Sequence, residues 1–385
     1  MDVLISGAGV AGPALAYWLR HHGVTPTVVE RALQVRAGGY AVGLRGEALD
    51  VLDRMALLEQ VKALDTHMGD VALVDRDGNQ YATLPAPIFA GDLQILRGDL
   101  TGLLYEATRP EVQYVFGDSI AGLEPDAGGV RVTFERGRPR RFDLVVGADG
   151  LHSRTRSLVF GPQARFVRHL GIYTAIFSLP NYLALRNTGR LHNMPGKAAG
   201  IFSARADTEA RAALHFACWP LAYDRYDAEQ HKRIVAGQFA GEGWQLPRLL
   251  EEMSRAPDLF FDANAQVEMD RWSSGRVVLL GDAGYAAAPT SGRGASQALI
   301  GAYILAGELA AAGGHHVAAF AAYEREMRGF VAEHQQVGRE GADWFFMGMP
   351  NQQVLDKLAA NVPDGTRAQI VRLKDYAPSF AAKGP

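Results

Sequence analysis

Three glycines near the amino terminus have a spacing that suits phosphate binding. Gly7, Gly9 and Gly12 follow an apolar run at residues 3–5 in the order G-x-G-x-x-G and lead into an apolar-periodic segment. Such glycines allow a tight turn, a close approach of the main chain to a pyrophosphate, and close packing of the helix that follows, whose free N–H groups attract phosphate. We therefore expect a strand, a turn and a helix that bind an adenine dinucleotide, with Ala11 also beside it.

An acidic residue follows at the distance that dinucleotide binding requires. Glu30 ends a second apolar segment, 18 residues beyond Gly12. A carboxylate at this place can accept hydrogen bonds from a ribose 2′-hydroxyl. The pattern suits NAD and FAD equally, so the turn and Glu30 leave the cofactor open.

Three later segments narrow the choice of cofactor. They are ILRGDL at 95–100, VVGADGLHSR at 145–154, and GDAG at 281–284 followed by Pro289 and by GRG at 292–294. In this order, after the glycine turn, they resemble the single-component aromatic-ring hydroxylases of the p-hydroxybenzoate hydroxylase type. The resemblance covers nearly the whole chain and implies an FAD monooxygenase that uses NAD(P)H.

Within that family the chain is similar to the tetracycline-inactivating flavin monooxygenases and their actinobacterial relatives. The similarity lies in residues 95–100, 179–183, 214–216 and 301–309. It implies that NAD(P)H reduces FAD, that O₂ forms a C4a-(hydro)peroxyflavin, and that one oxygen atom passes to a polycyclic aromatic or polyketide-like molecule, tetracyclines included. Because the flavin carries this chemistry, no catalytic side chain and no metal are expected.

The resemblance also implies a set of FAD contacts. Asp282 would accept from ribityl hydroxyls, Gly292 and Gly294 would bring main-chain N–H groups to the isoalloxazine, and Pro289 would stiffen the loop. The predicted FAD-binding residues are Gly7, Gly9, Ala11, Gly12, Glu30, Arg31, Arg36, Gly39, Gly43, Arg97, Asp149, Asp282, Pro289, Gly292, Gly294 and Ala295.

At two of these positions the expected role is reduced or has an alternative. Gly43 stands where relatives often have an acid, so no side-chain hydrogen bond to the flavin is expected from it. Asp149 is expected to serve FAD and the transient visit of NAD(P)H, and its other interpretation is an ordinary strand-to-helix turn.

Candidate substrate contacts lie in the region between the cofactor motifs. Arg190, His192, Phe202, His215 and Phe216 combine aromatic surface with titratable groups on predicted strands. Each residue alone has a structural role as its alternative.

The elements that position these residues alternate between strand and helix, which predicts an α/β fold. We expect a Rossmann-like FAD-binding domain at 1–166 and 270–315, an inserted mixed β-sheet domain for substrate at 167–269, and carboxy-terminal helices at 316–385. In the last predicted helix, at about 342–361, Trp344, Phe345, Phe346, Met347 and Met349 either pack in the core or cap the substrate cavity.

Composition excludes several classes of partner. The 385 residues carry a net charge of −3, so neither nucleic acid nor an anionic membrane is an expected partner. The arginine-rich run at 136–141 reads as a solvated hairpin turn, and the single cysteine, Cys218, suits a reducing cytoplasm. We expect a cytoplasmic monomer that acts on a small aromatic molecule with O₂.

Other functions stay open at this point. They are an NAD(P)-dependent dehydrogenase, a non-catalytic flavin protein that sequesters a ligand, and a halogenase, which the lack of a W-x-W-x-I-P motif disfavours.

Overall fold

The computed structural model describes residues 1–35, 38–346 and 371–376, without the side chains of residues 89 and 344–346. The first elements are β1 (Asp2–Ser6), α1 (Ala11–His21), β2 (Thr25–Glu30), β3 (Ala41–Leu44), α2 (Glu47–Arg54), α3 (Leu58–Lys62), β4 (Val71–Val74), β5 (Gln80–Leu84), α4 (Ala86–Ala90), β6 (Leu93–Leu96), α5 (Arg97–Thr108), β7 (Gln113–Phe116), β8 (Ile120–Asp126), β9 (Gly129–Phe134), β10 (Arg140–Phe142), β11 (Leu144–Gly147) and α6 (Arg154–Phe160). They are followed by β12 (Val167–Pro180), β13 (Gly189–Met194), β14 (Lys197–Ala204), β15 (Glu209–Ala217), α7 (Ala228–Phe239), α8 (Leu246–Arg255), β16 (Phe260–Val267), β17 (Ser273–Ser274), β18 (Val277–Leu279), α9 (Asp282–Tyr285), α10 (Gly294–Ala311) and α11 (His316–Phe346).

A six-stranded sheet in the order β17-β18-β11-β1-β2-β7 forms the centre of the first core. All its neighbouring pairs are parallel except β17 with β18. The apolar residues of β1 are fully buried, as expected for a parallel strand that is covered on both faces. Because β1, β11 and β18 are adjacent and parallel, the loops that leave their carboxyl ends meet at one edge, which is where open α/β sheets bind ligands.

A seven-stranded sheet in the order β16-β12-β15-β14-β13-β4-β5 lies beside the first. Its side chains alternate between two faces, as the period of a strand requires. One face packs with α7 and α8 in a second core that includes Phe177, Leu214, Phe239 and Leu249. The other face, which we call the inner face, carries Thr174, His215 and Asp262 and meets loops of the first sheet.

Residues 71–84 belong to the seven-stranded sheet although the sequence places them in the cofactor domain. Strand β4 pairs in parallel with β13, and β5 pairs with β4, so two strands from the first half extend the predicted inserted sheet. Their apolar residues form a cluster of their own, which Leu191 and Phe202 contact.

The described carboxy-terminal part differs from the sequence prediction. Helix α11 runs without interruption over His316–Phe346, so the predicted start of a separate helix at about residue 342 is wrong. The predicted packing of Trp344, Phe345, Phe346, Met347 and Met349 lies outside the described side chains. In the part of the chain that the structure describes, no helix has both the length and the apolarity of a membrane span.

The segment at 371–376 packs on α10. Tyr376 Oη donates to Glu308 Oε1 at 2.8 Å, and Lys374 Nζ donates to the same oxygen at 2.7 Å. The Tyr376 ring lies against Gly307, where an added Cβ would stand 2.2 Å from Cδ2 of the ring. Glycine at this position therefore makes room for the ring.

Replacing Gly307 with alanine should displace Tyr376 and lower the free energy of unfolding by about 1–3 kcal/mol, as overpacking does. Thermal melting measures the change. Gly102→Ala in α5 is the matched control because nothing lies within 4 Å of its added Cβ, and helix propensity should then stabilise the protein slightly. Equal melting temperatures for both variants would contradict the packing.

Candidate functional site

The glycine turn between β1 and α1 brings main chains into direct contact. Gly7 has φ of +107°, and its N–H donates to the carbonyl of Val29 at 2.7 Å. A Cβ on Gly7 would stand 2.5 Å from the carbonyl oxygen of Ala148, and a Cβ on Gly12 would stand 1.9 Å from that of Gly7. Both positions exclude a side chain, which leaves a bare backbone cradle.

Glu30 at the end of β2 holds this turn in place. Its Oε2 accepts from the N–H of Ala8 and its Oε1 from the N–H of Ala32, each at 2.8 Å. Each carboxylate oxygen keeps lone-pair capacity. The predicted ribose contact is compatible with this arrangement and stays a prediction.

The loop after β18 meets the same edge. Gly281 has φ of +65°, and an added Cβ would lie 3.4 Å from Cβ of Ala11 and 3.8 Å from that of Ala298. The carboxylate of Asp282 is exposed to the groove, and its Oδ1 lies 3.7 Å from the Cβ position of Gly294. The glycine turn, Asp282 and the first turn of α10 thus surround one groove.

A guanidinium without a hydrogen-bond partner faces this groove. Nη2 of Arg97, at the start of α5, lies 3.5 Å from the Cβ position of Gly9, and its Cζ lies 6.0 Å from the centre of the Tyr40 ring. It hydrogen-bonds to none of the described residues. Desolvation by the groove walls raises the pKa of Asp282, and the positive charge of Arg97 opposes that rise.

The D-G turn after β11 is held by its own side chain. The Asp149 carboxylate accepts from Oγ of Ser153 at 2.5 Å and from the N–H and Oγ1 of Thr155, both at 2.9 Å. These bonds cap α6, which is the structural alternative for this motif. A direct contact of Asp149 with the cofactor stays a prediction.

Sequence reasoning missed Arg156, which links the D-G turn to α9. Its side chain is fully buried, and it donates to the carbonyls of Ala283 at 2.8 Å and Leu151 at 2.6 Å. Burial lowers the pKa of its guanidinium to about 10. An arginine two residues beyond another arginine in the motif offers no signal that separates a buried one from an exposed one.

The side-chain amides of buried Gln266 and half-buried Gln335 hold the loop at 286–292 from two sides. Nε2 of Gln266, on β16, donates to the carbonyls of Ala287 at 3.0 Å and Gln335 at 2.6 Å. Nε2 of Gln335, on α11, donates to the carbonyl of Val267 at 2.7 Å and to that of Ala286, at the start of the loop, at 3.4 Å. The loop is therefore tied to the second sheet and to α11 together.

Within that loop the backbone is strained. Ala288 has φ of +75° and ψ of 150°, a region that suits glycine and costs about 1–3 kcal/mol for other residues. Thr290 Oγ1 donates to the carbonyl of Gly338 at 2.6 Å and to Oδ1 of Asn264 at 3.3 Å, which helps to maintain this shape. Of the other predicted residues here, Pro289 and Gly292 are exposed and Ala295 is half-buried.

Two glycines of α11 allow this helix to contact the loop at 286–292, and sequence reasoning missed both. A Cβ on Gly338 would stand 2.0 Å from the carbonyl oxygen of Ala287, and one on Gly341 would stand 2.6 Å from that of Thr290. Glycine inside a long helical pattern is the signal that could have revealed them, because it marks a close backbone approach.

The inner face carries two of the five predicted substrate residues. Nδ1 of His215 and Oγ1 of Thr174 are 2.9 Å apart, and burial lowers the pKa of His215 to about 4, so its imidazole is neutral at pH 7. The Phe202 ring lies flat on the sheet, over Gly189 and Gly200. Added Cβ atoms on those glycines would stand 2.4 and 2.5 Å from it.

The other three residues lie on the opposite face, and their assignment to substrate stays a prediction that this placement does not support. Phe216 is fully buried in the core beneath α7 and α8. Nδ1 of His192 is 3.0 Å from the carbonyl oxygen of Val74, and its ring packs 5.6 Å from Trp244. Arg190, two residues earlier on β13, is exposed on that same face. Strand alternation separates them from His215 and Phe202.

A polar row crosses the inner face toward the D-G turn. In the strand registers, Asp262 stands opposite Thr174, which stands opposite His215. Nε2 of His152, three residues after Asp149, is 3.0 Å from Oδ1 of Asp262. The Tyr223 hydroxyl donates to the same carboxylate oxygen at 3.5 Å. This row joins the second sheet to the cofactor groove.

The remaining predicted FAD residues border the groove or lie beyond it. Nη2 of Arg31 donates to Oγ of Ser119 at 3.1 Å and to Oε1 of Glu135 at 3.2 Å, at the rim next to Glu30. Arg36 lies outside the described residues.

Gly39 lies beside Arg97 near the groove, and Gly43 is buried in β3. The Gly39 carbonyl accepts from Nε of Arg211 at 3.3 Å, so the second sheet also holds this loop. A Cβ on Gly43 would stand 3.0 Å from the carbonyl oxygen of Ala90. That contact gives a physical reason for glycine where relatives often carry an acid.

Comparisons with known proteins agree with this geometry. A family model described as FAD binding domain matches residues 1–336. An uncharacterized protein of Mycobacterium tuberculosis is 49% identical over 339 residues, which cover 86% of this chain and 91% of that protein. A flavin-dependent monooxygenase of an unknown prokaryotic organism is 39% identical over 87% of this chain and 88% of its own length. The crystal structure of tetracycline destructase Tet(51) has a TM-score of 0.87 and 34% identity, and covers 97% of this chain and 99% of that one.

These findings confirm the resemblance, the α/β fold and the FAD cofactor that the sequence motifs predict. The residues present also fit FAD. A cradle that Cβ atoms would fill, the Arg97 guanidinium, which bonds to none of the described residues, and the exposed Asp282 carboxylate suit a pyrophosphate and a polyhydroxyl chain.

Replacing Gly338 with alanine should push α11 away from the loop at 286–292 and weaken FAD binding about tenfold, since overpacking of this kind costs about 1–3 kcal/mol. Titration of apoprotein with FAD, followed by flavin fluorescence, measures the affinity. Gly237→Ala in α7 is the control, because nothing lies within 4 Å of its added Cβ. Unchanged FAD affinity in Gly338→Ala would contradict the role of this contact.

Proposed function

Since this chain belongs to the FAD-binding domain family, we propose that it is an FAD-dependent monooxygenase with a polycyclic aromatic or polyketide-like substrate. It would use NAD(P)H and O₂ to insert one oxygen atom, and tetracyclines are one class of substrate to test. When bound, FAD supplies hydride acceptance and oxygen activation. The observation that carries the proposal is the inner face of the second sheet, which is tied to the FAD groove by Arg211, Gln266 and Asp262.

The protein's part begins with holding the cofactor. Arg97 would pair with the pyrophosphate above the glycine turn, and Asp282 would accept from the ribityl hydroxyls. Gly294 begins α10, so free N–H groups and the positive end of the helix dipole would stabilise negative charge on the flavin. The strained loop that contains Ala288 and Pro289 would keep this face rigid.

We also propose how the chain divides this work. Residues 1–166 and 270–315 would bind FAD, residues 167–269 would bind substrate, and residues 316–385 would support both. The pairing of β4 with β13 adds residues 71–84 to the substrate part.

The chemistry of the inner face favours a flat, neutral substrate. Phe202 offers an aromatic surface that lies over Gly200, and Ala213, which is paired with Gly200 across β14 and β15, has only a small side chain. The guanidinium of Arg211 is already bonded to Gly39 and to Glu209. A neutral imidazole at His215 suits a phenol, an enol or a carbonyl better than a carboxylate.

The test incubates the yellow holoenzyme with NADPH and a panel of tetracyclines, anthracyclines and simple phenols under ¹⁸O₂. We expect substrate-stimulated NADPH oxidation and a product that gains one ¹⁸O atom, seen by mass spectrometry. Ligand binding without such a product would favour a non-catalytic protein that sequesters its ligand. A colourless protein that oxidises a substrate with NAD(P)⁺ would identify a dehydrogenase.

Replacing His215 with asparagine should lower kcat/KM for the substrate about tenfold while FAD stays bound, because one hydrogen bond to substrate is lost and typically contributes about 1–2 kcal/mol. Steady-state kinetics and the flavin absorbance measure both effects. His192→Asn is the matched control on the opposite face, and its kcat/KM should equal that of the wild type. If both variants lost activity equally, His215 would have a role in folding only.

A further inference from the structure

The hairpin between β14 and β15 carries an arginine that reaches the cofactor half of the molecule. Nη1 of Arg205 donates to Oδ2 of Asp99 at 3.1 Å, and its Nη2 donates to Oδ1 at 3.0 Å. Asp99 lies in the first turn of α5, two residues after Arg97. Two parallel bonds between one guanidinium and one carboxylate fix both groups in distance and in orientation. The tip of this hairpin therefore holds the turn that carries Arg97.

Arg205 also begins a series of alternating charges that continues into β15. Its Nε lies 2.8 Å from Oε1 of Glu209, and Nη2 of Arg211 donates to the same oxygen at 3.0 Å. Nε of Arg211 donates in turn to the carbonyl of Gly39 at 3.3 Å. With Asp99 this makes two arginines and two acids, so each charge has an opposite charge beside it. We call Asp99, Arg205, Glu209 and Arg211 the ion chain.

Both ends of the ion chain meet at Arg97. At one end, Asp99 is in the same helical turn as Arg97. At the other end, the Cβ position of Gly39 lies 3.5 Å from Cβ of Arg97, and the N–H of Arg97 donates to the carbonyl of Tyr40 at 2.9 Å. The backbone of Arg97 is thus supported by α5 and by the loop at 39–40, and the ion chain connects these two supports.

The backbone at the tip of the hairpin is strained. Arg205, Ala206 and Asp207 have φ of +48°, +52° and +66°, in the left-handed region that residues other than glycine seldom occupy. Nδ2 of Asn181 donates to the carbonyl of Asp207 at 2.8 Å, and Oδ1 of Asp207 accepts from the N–H of Asn187 at 2.9 Å. Such strain persists where surrounding bonds maintain it, and it is concentrated at functional positions. The conformation of the tip, and with it the place of Arg205, is therefore fixed.

We propose that Arg205 is a positioning residue for FAD, which through the ion chain holds Arg97 where the pyrophosphate binds. This inference rests on the proposed function for the contact between Arg97 and the pyrophosphate. Arg205 itself would not touch the cofactor. An isolated surface ion pair contributes little to stability, whereas a bidentate pair within a network of charges contributes more. A displaced Arg97 would lose a charge-assisted hydrogen bond to phosphate, so FAD affinity should respond to changes at Arg205.

The test titrates apoprotein with FAD and measures the dissociation constant by flavin fluorescence. Arg205→Gln should weaken FAD binding about fivefold, because the bonds to Asp99 and Glu209 are both lost. Arg205→Lys keeps the charge without the planar fork, so it should weaken binding by less. Arg255→Gln, at an exposed arginine of α8 that pairs with Glu251, is the matched control and should bind FAD as the wild type does.

A double-mutant cycle separates positioning from a general effect on folding. In an Arg97→Gln background, Arg205→Gln should weaken FAD binding less than about twofold, because the guanidinium that it positions is no longer present. Asp99→Asn should have the same effect as Arg205→Gln, and the two substitutions together should weaken binding no more than either alone. This second comparison needs no variant of Arg97.

Three results overturn the proposal. Unchanged FAD affinity in Arg205→Gln and Asp99→Asn would remove the ion chain from cofactor binding. An equal loss of affinity from Arg205→Gln in the wild-type and Arg97→Gln backgrounds would show that Arg205 supports the fold only. Unchanged affinity in Arg97→Gln would remove the pyrophosphate contact and the positioning role with it. Because these titrations need no turnover, a protein that forms no oxygenated product can still show the coupling, and the two proposals fail separately.

Discussion

The structure depends on main chains that approach each other at one edge of the parallel sheet. Carbonyl oxygens of Gly7 and Ala148 lie where side chains would otherwise stand, and Gly281 lies between Ala11 and Ala298. Glycine is required at positions 7 and 12 because a Cβ would overlap with backbone, which cannot move without moving a strand or a helix. At position 281 it is required by the positive φ. The same removal of side chains exposes the N–H groups that a pyrophosphate needs. Packing and cofactor binding therefore follow from one constraint.

The loops at this edge are also held to the second sheet. Hydrogen bonds to their carbonyl groups do this, in addition to apolar contacts. Arg211 donates to Gly39, and Gln266 donates to Ala287. A buried amide or guanidinium is costly without a partner, so these bonds hold the cofactor loops at a fixed distance from the inner face. The strain at Ala288 persists because its neighbours are bonded on both sides. The inner face and the cofactor loops are thereby held together by the same side chains.

Local sequence motifs were sufficient to predict the FAD cofactor. Glycine spacing, the acid at Glu30 and the position of Asp282 each follow from short-range rules of strand, turn and helix. The glycines of α11 were missed because their partners, Ala287 and Thr290, are about 50 residues away in the sequence. Arg156 was missed for a related reason, since burial depends on which elements cover a side chain and no local pattern states that.

The candidate substrate residues show that residue type alone does not tell on which face of a sheet a side chain lies. His192 and His215 are two histidines on two strands of one sheet, yet of these two only His215 lies on the inner face. On a strand, a shift of one residue reverses the face, so telling which histidine lies on the inner face requires the register as well as the strand. Register comes from long-range pairing, here of β12 with β15 and β13 with β14. Which of these side chains share a face of the sheet can therefore be stated only when that pairing is known.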